Sequence, residues 1–239
     1  GYDDKVDLNW AFVTGKLGGV KVMAGRNDFV WTDTMDTRGD GIKLTYGKDI
    51  QLTGAALKAT SSKEVGAIVA DDRIYVADLG TKVGIVNANV RYFKGDIGAE
   101  DKDKEIYEVA AALPVAKDLK LAASYFNGDD VIDGDTNGYL VGLTYKGAKA
   151  ATVGTWGLYA KYSDRPYATY MNPTVFSGAY AAYPDALHGK TTDGYKGYEV
   201  GANYTVAKNI VLGLKYSDME ARENDGDDQT LWSEVVFTF

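Results

Sequence analysis

The chain has 239 residues, a formal net charge of -8, no cysteine and a single histidine, His188. Those counts exclude a disulfide framework, a thiolate nucleophile or metal site and a multi-histidine centre. With 34 acidic against 26 basic residues they also exclude the basic stripe that nucleic acid requires.

No apolar run reaches the roughly 20 residues of a spanning helix, and the opening Gly1-Tyr2-Asp3-Asp4 does not read as a secretory leader. The organising signal is instead the period of the apolar residues, which is two along nearly the whole chain. In chain order, strands are predicted near 5–16, 20–26, 40–47, 49–59, 73–83, 85–94, 105–113, 118–127, 138–146, 155–164, 198–204, 210–217 and 229–239, about 13 in all. Their apolar faces carry Val6, Leu8, Trp10 and Phe12 in the first, Ile42, Leu44 and Tyr46 in the third, and Ile210, Leu212, Leu214 and Tyr216 in the twelfth.

The opposite faces hold Asn, Lys, Arg and Glu interleaved with Gly, Ala, Ser and Thr. A soluble sandwich and a water-filled barrel both alternate in this way. Three features favour the barrel. Segments of roughly 9–11 residues fit a tilted membrane crossing, and aromatic residues gather at strand ends as in interfacial girdles. Connections also alternate between short (17–19, 46–49, 114–118, 206–209) and long and polar (27–40, 60–72, 95–104, 127–137, 164–196, 218–228), with 146–154 intermediate.

The expected fold is therefore all-β, an up-and-down antiparallel transmembrane barrel. If the last strand descends to the periplasm, the first descends too. Because single-chain bacterial barrels normally have even strand numbers, about 14–16 strands are expected in the complete barrel, with further N-terminal strands outside this stretch.

The C-terminal run Trp232-Ser233-Glu234-Val235-Val236-Phe237-Thr238-Phe239 resembles the closing strand of bacterial outer-membrane proteins, which implies handling by the barrel-assembly machinery. Gly19-Val20-Lys21-Val22-Met23-Ala24-Gly25-Arg26 resembles the strand that precedes the constriction loop of trimeric general porins, and Asp40-Gly41-Ile42-Lys43-Leu44-Thr45-Tyr46 resembles the strand after it. The whole set is loosely similar to the porin portion of S-layer-homology-domain outer-membrane proteins of diderm Firmicutes. That resemblance implies a homotrimer among outer-membrane lipid and lipopolysaccharide, and a wall-binding domain, absent here, that grips peptidoglycan.

For a porin the chemistry is passive, set by lumen charge and a narrowing loop. The inward side chains expected from the alternation are Lys21, Lys43, Arg91, Lys120, Lys161 and Lys215 against Asp7, Glu108, Glu199 and Glu234, a modest positive excess. Segment 27–40 is the candidate constriction loop. Its Asp28, Asp33, Asp36 and Asp40, with Arg38, would face basic wall residues such as Arg26, Lys43 and Arg91; an ordinary solvated loop reads the same way.

Acidic stretches around Asp129, Asp130, Asp133 and Asp135, and around Glu223, Asp225, Asp227 and Asp228, have the oxygen-rich composition of calcium loops without the complete pattern, so no cofactor is expected. His188, Asp185 and Ser177 share the long loop 164–196 with no scaffold to hold a triad, and no enzyme is expected. The same loop's Tyr167, Tyr170 and Met171, with Phe176, Tyr180 and Tyr183, are expected to fold over the pore or pack against a neighbouring subunit. The expected function is passive diffusion of small hydrophilic solutes across the bacterial outer membrane, the alternative being a barrel that anchors a tether to the cell wall.

Overall fold

The computed structural model describes residues 8–31, 34–60, 73–97, 102–129, 134–171, 194–223 and 226–238. They form β1 (Ala11–Leu17), β2 (Val20–Trp31), β3 (Met35–Gly47), β4 (Ile50–Ala59), β5 (Arg73–Val83), β6 (Val86–Ile97), β7 (Lys102–Ala116), β8 (Leu119–Gly128), β9 (Asn137–Lys146), β10 (Trp156–Arg165), β11 (Tyr195–Ala207), β12 (Ile210–Ala221) and β13 (Asp227–Phe237). Each strand pairs antiparallel with its chain neighbours in one 13-stranded sheet. Among the described residues β1 pairs only with β2, and β13 only with β12.

Two expectations need correction. Segment 27–40 is not a loop: Asn27 pairs with Gly39, Asp28 with Arg38 and Trp31 with Met35, so the β2–β3 ladder runs to the tip. Phe29, Trp31, Met35 and Thr37 alternate there and are buried, which gives the arms a packed face of their own.

The second correction concerns Phe12. It pairs with Gly25, on the face of Met23, while Val13 and Leu17 share the other face with Ala24 and Val20. The tight turn at Gly18 and Gly19, with φ of 55° and 85°, fixes Leu17 opposite Val20 and thereby sets the register of β1. A one-residue slip would exchange its faces.

Across the ladder, one face is apolar and open: Leu44, Leu52, Leu79, Val109, Val141, Leu143, Leu158, Val200, Leu212, Leu214 and Val235 are all exposed. In water that surface would cost the hydrophobic free energy of its whole area; against lipid it costs nothing comparable. One tyrosine per strand from β5 to β12 borders it: Tyr75, Tyr92, Tyr107, Tyr125, Tyr139, Tyr162, Tyr198 and Tyr216. Their hydroxyls reach toward polar groups on the long-connection side, as Tyr107 does to Glu105, Tyr125 to Asn137 and Tyr198 to Asp218.

Beyond the tyrosines the outward face turns charged. Arg26, Asp40, Lys58, Arg73, Asp96 and Asp103 are successive ladder partners from β2 to β7. Asp164, Lys196, Glu220 and Asp227 continue in the same manner from β10 to β13. From Tyr75 to Val83 the strand rises roughly 27 Å, about 20 Å across a bilayer at a tilt of roughly 40°, close to the apolar band of membrane barrels.

Candidate functional site

The ladder puts Lys21, Lys43, Arg91, Glu108, Lys120, Lys161, Glu199, Lys215 and Glu234 on a single face, the one opposite the apolar surface. Toward the short turns this face is open, with Lys21, Lys120 and Glu234 exposed. Toward the long connections it is closed, with Phe93, Ile106, Phe126, Tyr195 and Met219 buried. Asp7 lies outside the described residues.

Two charge clusters occupy the face. On β5 to β8, Arg91 Nη1 donates to Glu108 Oε1 at 2.6 Å, and its Nε stands 3.3 Å from Asp78 Oδ2. Glu108 also accepts the Ser124 hydroxyl at 3.1 Å and the Thr34 hydroxyl at 3.4 Å, and is fully buried. On β10 and β11, the Tyr159 hydroxyl donates to Glu199 at 2.8 Å and Lys161 Nζ stands 3.5 Å from the same oxygen. In both clusters an acid is held by a cation and a hydroxyl. That arrangement offsets the desolvation a buried carboxylate would otherwise suffer.

Two elements leave the wall and enter the interior. The first is the tip of the β2–β3 hairpin. Lys43 Nζ lies 4.1 Å from the centre of the Trp31 ring, yet Trp31 is paired with Met35, eight residues from Lys43 along β3. A straight hairpin would hold them roughly 27 Å apart, far more than two side chains can bridge, so the tip folds back over the inward face. There Phe29, Trp31 and Met35 pack with Leu57, Ile74, Val76, Phe93 and Ile106. Because strand side chains alternate, Asp28, Asp36 and Arg38 point away from that cluster, with Arg38 Nε on Asp28 Oδ1 at 2.8 Å.

The second element is Arg165–Met171, which follows β10 and includes a single 3-10 turn at Tyr167–Thr169. Lys104 Nζ, fully buried on β7, donates to the Tyr167 carbonyl at 2.7 Å and lies 3.9 Å from the Tyr167 ring centre. Arg165 donates to Thr169, through Nε to the hydroxyl at 3.2 Å and through Nη2 to the carbonyl, while its guanidinium stacks 3.7 Å above the Phe126 ring. Such cation–aromatic contacts strengthen where water is excluded. The backbone passes over Gly128 and Gly138, whose missing β-carbons leave the space.

The two elements meet: the Met171 N–H donates to the Thr34 carbonyl at 2.9 Å. A continuous bar of backbone therefore crosses the interior from β2–β3 to β10. Tyr167, Tyr170 and Met171 lie within it, on the inward side.

The residues expected in a constriction divide. Asp28, Asp36 and Arg38 ride on the folded tip. Arg26 and Asp40 instead pair with each other on the outward charged row, through two contacts of 2.8 and 2.7 Å, and so do not face Lys43 or Arg91. Arg26 holds the Asp40 carboxyl below the usual carboxylate range. Asp33 lies outside the described residues, as do Asp130, Asp133, Asp225, His188, Asp185, Ser177, Phe176, Tyr180 and Tyr183.

Of the acidic stretches, Asp129 accepts the Glu105 N–H at 2.9 Å and Asp135 takes the Arg222 guanidinium at 2.7 Å. Reading the sequence missed Asp78, Lys104 and Arg165. The alternation of Tyr75, Ala77 and Leu79 placed Asp78 on the polar face; Lys104 and Arg165 fell in stretches read as loops and carried no local signal.

No family model matches the sequence, and no curated protein matches it. Solved structures do. The chain is similar to Pseudomonas aeruginosa OccK5 (OpdH), with a TM-score of 0.53 and 12% identity over 95% of this chain and 70% of that one. It is similar to OccK11 (OpdR) of the same organism, with 0.55 and 12% over 94% and 68%. It is also similar to the outer membrane channel DcaP of Acinetobacter baumannii, with 0.50 and 18% over 95% and 83%. These are bacterial outer-membrane β-barrel porins, and the chain has their fold.

Proposed function

We propose that this chain forms a water-filled channel in the bacterial outer membrane, through which small hydrophilic solutes diffuse past a charged constriction. The observation that carries this reading is the bar made by the hairpin tip and Arg165–Met171, joined at Thr34 and Met171 across a face bearing lysine, arginine and glutamate. A barrel serving only as an anchor has no use for a charged inner face with two chain segments folded across it. The chemistry is passage, with selection by size and charge and no bond made or broken.

The apolar outward face, the tyrosine border and the charged row above it support the membrane placement. Purified protein added to a planar bilayer is expected to give stepwise conductance increments. Silent bilayers across independent preparations, with the protein folded, would overturn the reading.

A further inference from the structure

Besides the two elements of the bar, a third segment lies over the interior, at the opposite end of the sheet. The connection from β9 to β10 leaves the wall after Lys146 and rejoins it at Trp156. Gly147 passes over Gly157 so closely that a β-carbon on Gly157 would stand 2.6 Å from the Gly147 Cα. Gly157 shares the inward face with Tyr159 and Lys161, and on that face its ladder partner Asn203 accepts the Ala148 N–H at 2.8 Å. The connection therefore turns into the lumen.

It is held there as a unit. Thr205, fully buried, donates its hydroxyl to the Lys149 carbonyl at 3.1 Å, and its backbone bonds with Gly154 and Thr155. The Thr155 hydroxyl accepts the Lys149 N–H at 2.7 Å. The Ala150 carbonyl takes the Asn209 N–H, also at 2.7 Å, from the turn between β11 and β12. The result is a shelf across the inward faces of β10 and β11 with its backbone groups satisfied. It joins β10 at Trp156, whereas the bar joins at Arg165, roughly 30 Å away along the strand. A solute meets two narrowings in series.

The charge at this second narrowing is one-sided. Every connection at the short-turn end has an exposed lysine in it or beside it: Lys16, Lys48, Lys82, Lys117, Lys149 and Lys208. Lys16 stands directly opposite Lys21, a like-charge pair that costs stability. Lys120 and Lys215 belong to the inward row next to the shelf, with Thr144, Tyr159 and Gly201 between them. Among the described residues the acids at this end are Asp49, Asp118 and Glu234. Arg91 and Lys161 are held by Glu108 and Glu199, whereas Lys120, Lys149 and Lys215 have no ion pair among the described residues. Charge left unneutralised along a narrow low-dielectric wall sets the local potential and the local ion concentration.

We infer that the shelf, with Lys149 on it and Lys120 and Lys215 beside it, is a second filter that selects anions at the short-turn mouth. Small solutes bearing carboxylate or phosphate groups are concentrated there, and cations of the same size are held back. This names the substrate class of the channel proposed above and rests on that reading.

These 239 residues bring no cysteine of their own, so a single thiol can be placed on the shelf. Ala151→Cys and Thr152→Cys, both at exposed positions, are each inserted into planar bilayers. A sulfonate-bearing or a trimethylammonium-bearing methanethiosulfonate is added on both sides while unitary conductance is recorded, and each rate is divided by that on a free thiol. Reversal potentials in a KCl gradient are read without reagent. Both measurements are repeated with Lys120→Gln, Lys149→Gln and Lys215→Gln combined.

Modification is expected to lower the conductance in a step, with the anionic reagent ahead by about fivefold at roughly 0.1 M salt. That lead should shrink at about 1 M salt, where the screening length is about 3 Å, and in the triple variant. The reversal potential should show anion preference, reduced by the three substitutions. Unchanged conductance after complete modification of both cysteine variants would overturn the shelf as a narrowing. Equal corrected rates, cation preference, or an anion preference undiminished in the triple variant would overturn the filter. Folded protein that never conducts would instead overturn the channel reading, and the inference with it.

Discussion

The backbone of Gly128 lies directly beneath the carbonyl of Ala168, with no room between them for a β-carbon. Gly138 is nearly as close, since a β-carbon there would stand 3.0 Å from the Asp164 carbonyl and from Pro166 Cδ. The strand wall of β8 and β9 is thus shaped to receive Arg165–Met171. The bar across the interior depends on glycine at these two places.

Replacing Gly128 with Ala is expected to lift that segment while leaving every wall charge in place. Overpacking of this kind costs about 1–3 kcal/mol. Single-channel recordings should show larger unitary conductance with retained heat-modifiable migration on gels. An unchanged conductance in folded G128A would mean that the segment does not narrow the path.

The two charge clusters should differ in their tolerance of truncation. Glu108 is fully buried, and its loss leaves the Arg91 guanidinium, whose side chain is only 10% exposed, with Asp78 as its remaining acidic partner. Removing one partner of a buried pair costs about 3–5 kcal/mol where the other charge is left uncompensated, and Asp78 lowers that cost here. Lys161 is 20% exposed, so water can partly take over when Glu199 is removed. Glu108→Ala should therefore lower the denaturant midpoint of unfolding considerably more than Glu199→Ala.

The outward face predicts a depth-dependent response to charge. Leu214 pairs with Ala202 between the tyrosine border and the short turns, whereas Gln229 pairs with Asp218 in the polar zone above it. Leu214→Arg should destabilise folding into vesicles by about 2–4 kcal/mol, and Gln229→Arg by roughly 1 kcal/mol or less. Equal effects in the two variants would contradict the assignment of the apolar face to lipid.

Acid should act through the outward charged row. The Arg26 hydrogen bond holds the Asp40 carboxyl below its ordinary value, and the folded state therefore gains stability that is complete above the unfolded pKa of about 3.9 and lost as pH falls through the folded one. Lys196 is raised by its hydrogen bond to Glu220, so its contribution is complete below the lysine range and lost as pH rises through it. The Asp40 and Lys196 side chains are 49% and 39% exposed, so the effects are small. The difference in unfolding midpoint between the wild type and Asp40→Asn should be constant between pH 5 and 8, and shrink below about pH 4.

The sequence by itself determined the strand ladder and the allegiance of most side chains. A period of two is a local property: once Leu212 and Leu214 face lipid, Lys215 and Gly213 must face the other way, and tight turns such as Gly18-Gly19 transmit that choice to the next strand. All 13 strands were visible on that basis, and so was the common face of Lys21, Lys43, Arg91 and the other charged residues.

Only the tertiary structure decided what crosses the interior. Phe29, Trp31 and Met35 alternate like any wall strand, and nothing nearby announces that their hairpin folds back until Trp31 meets Lys43. Arg165 and Lys104 acquire their roles from Thr169, Phe126 and Tyr167 only after β7, β8 and β10 have been brought side by side. Alternation specifies a side of the sheet. It carries no information about where a segment goes once it leaves the sheet, because that is settled by contacts between residues distant in the chain, such as Thr34 with Met171.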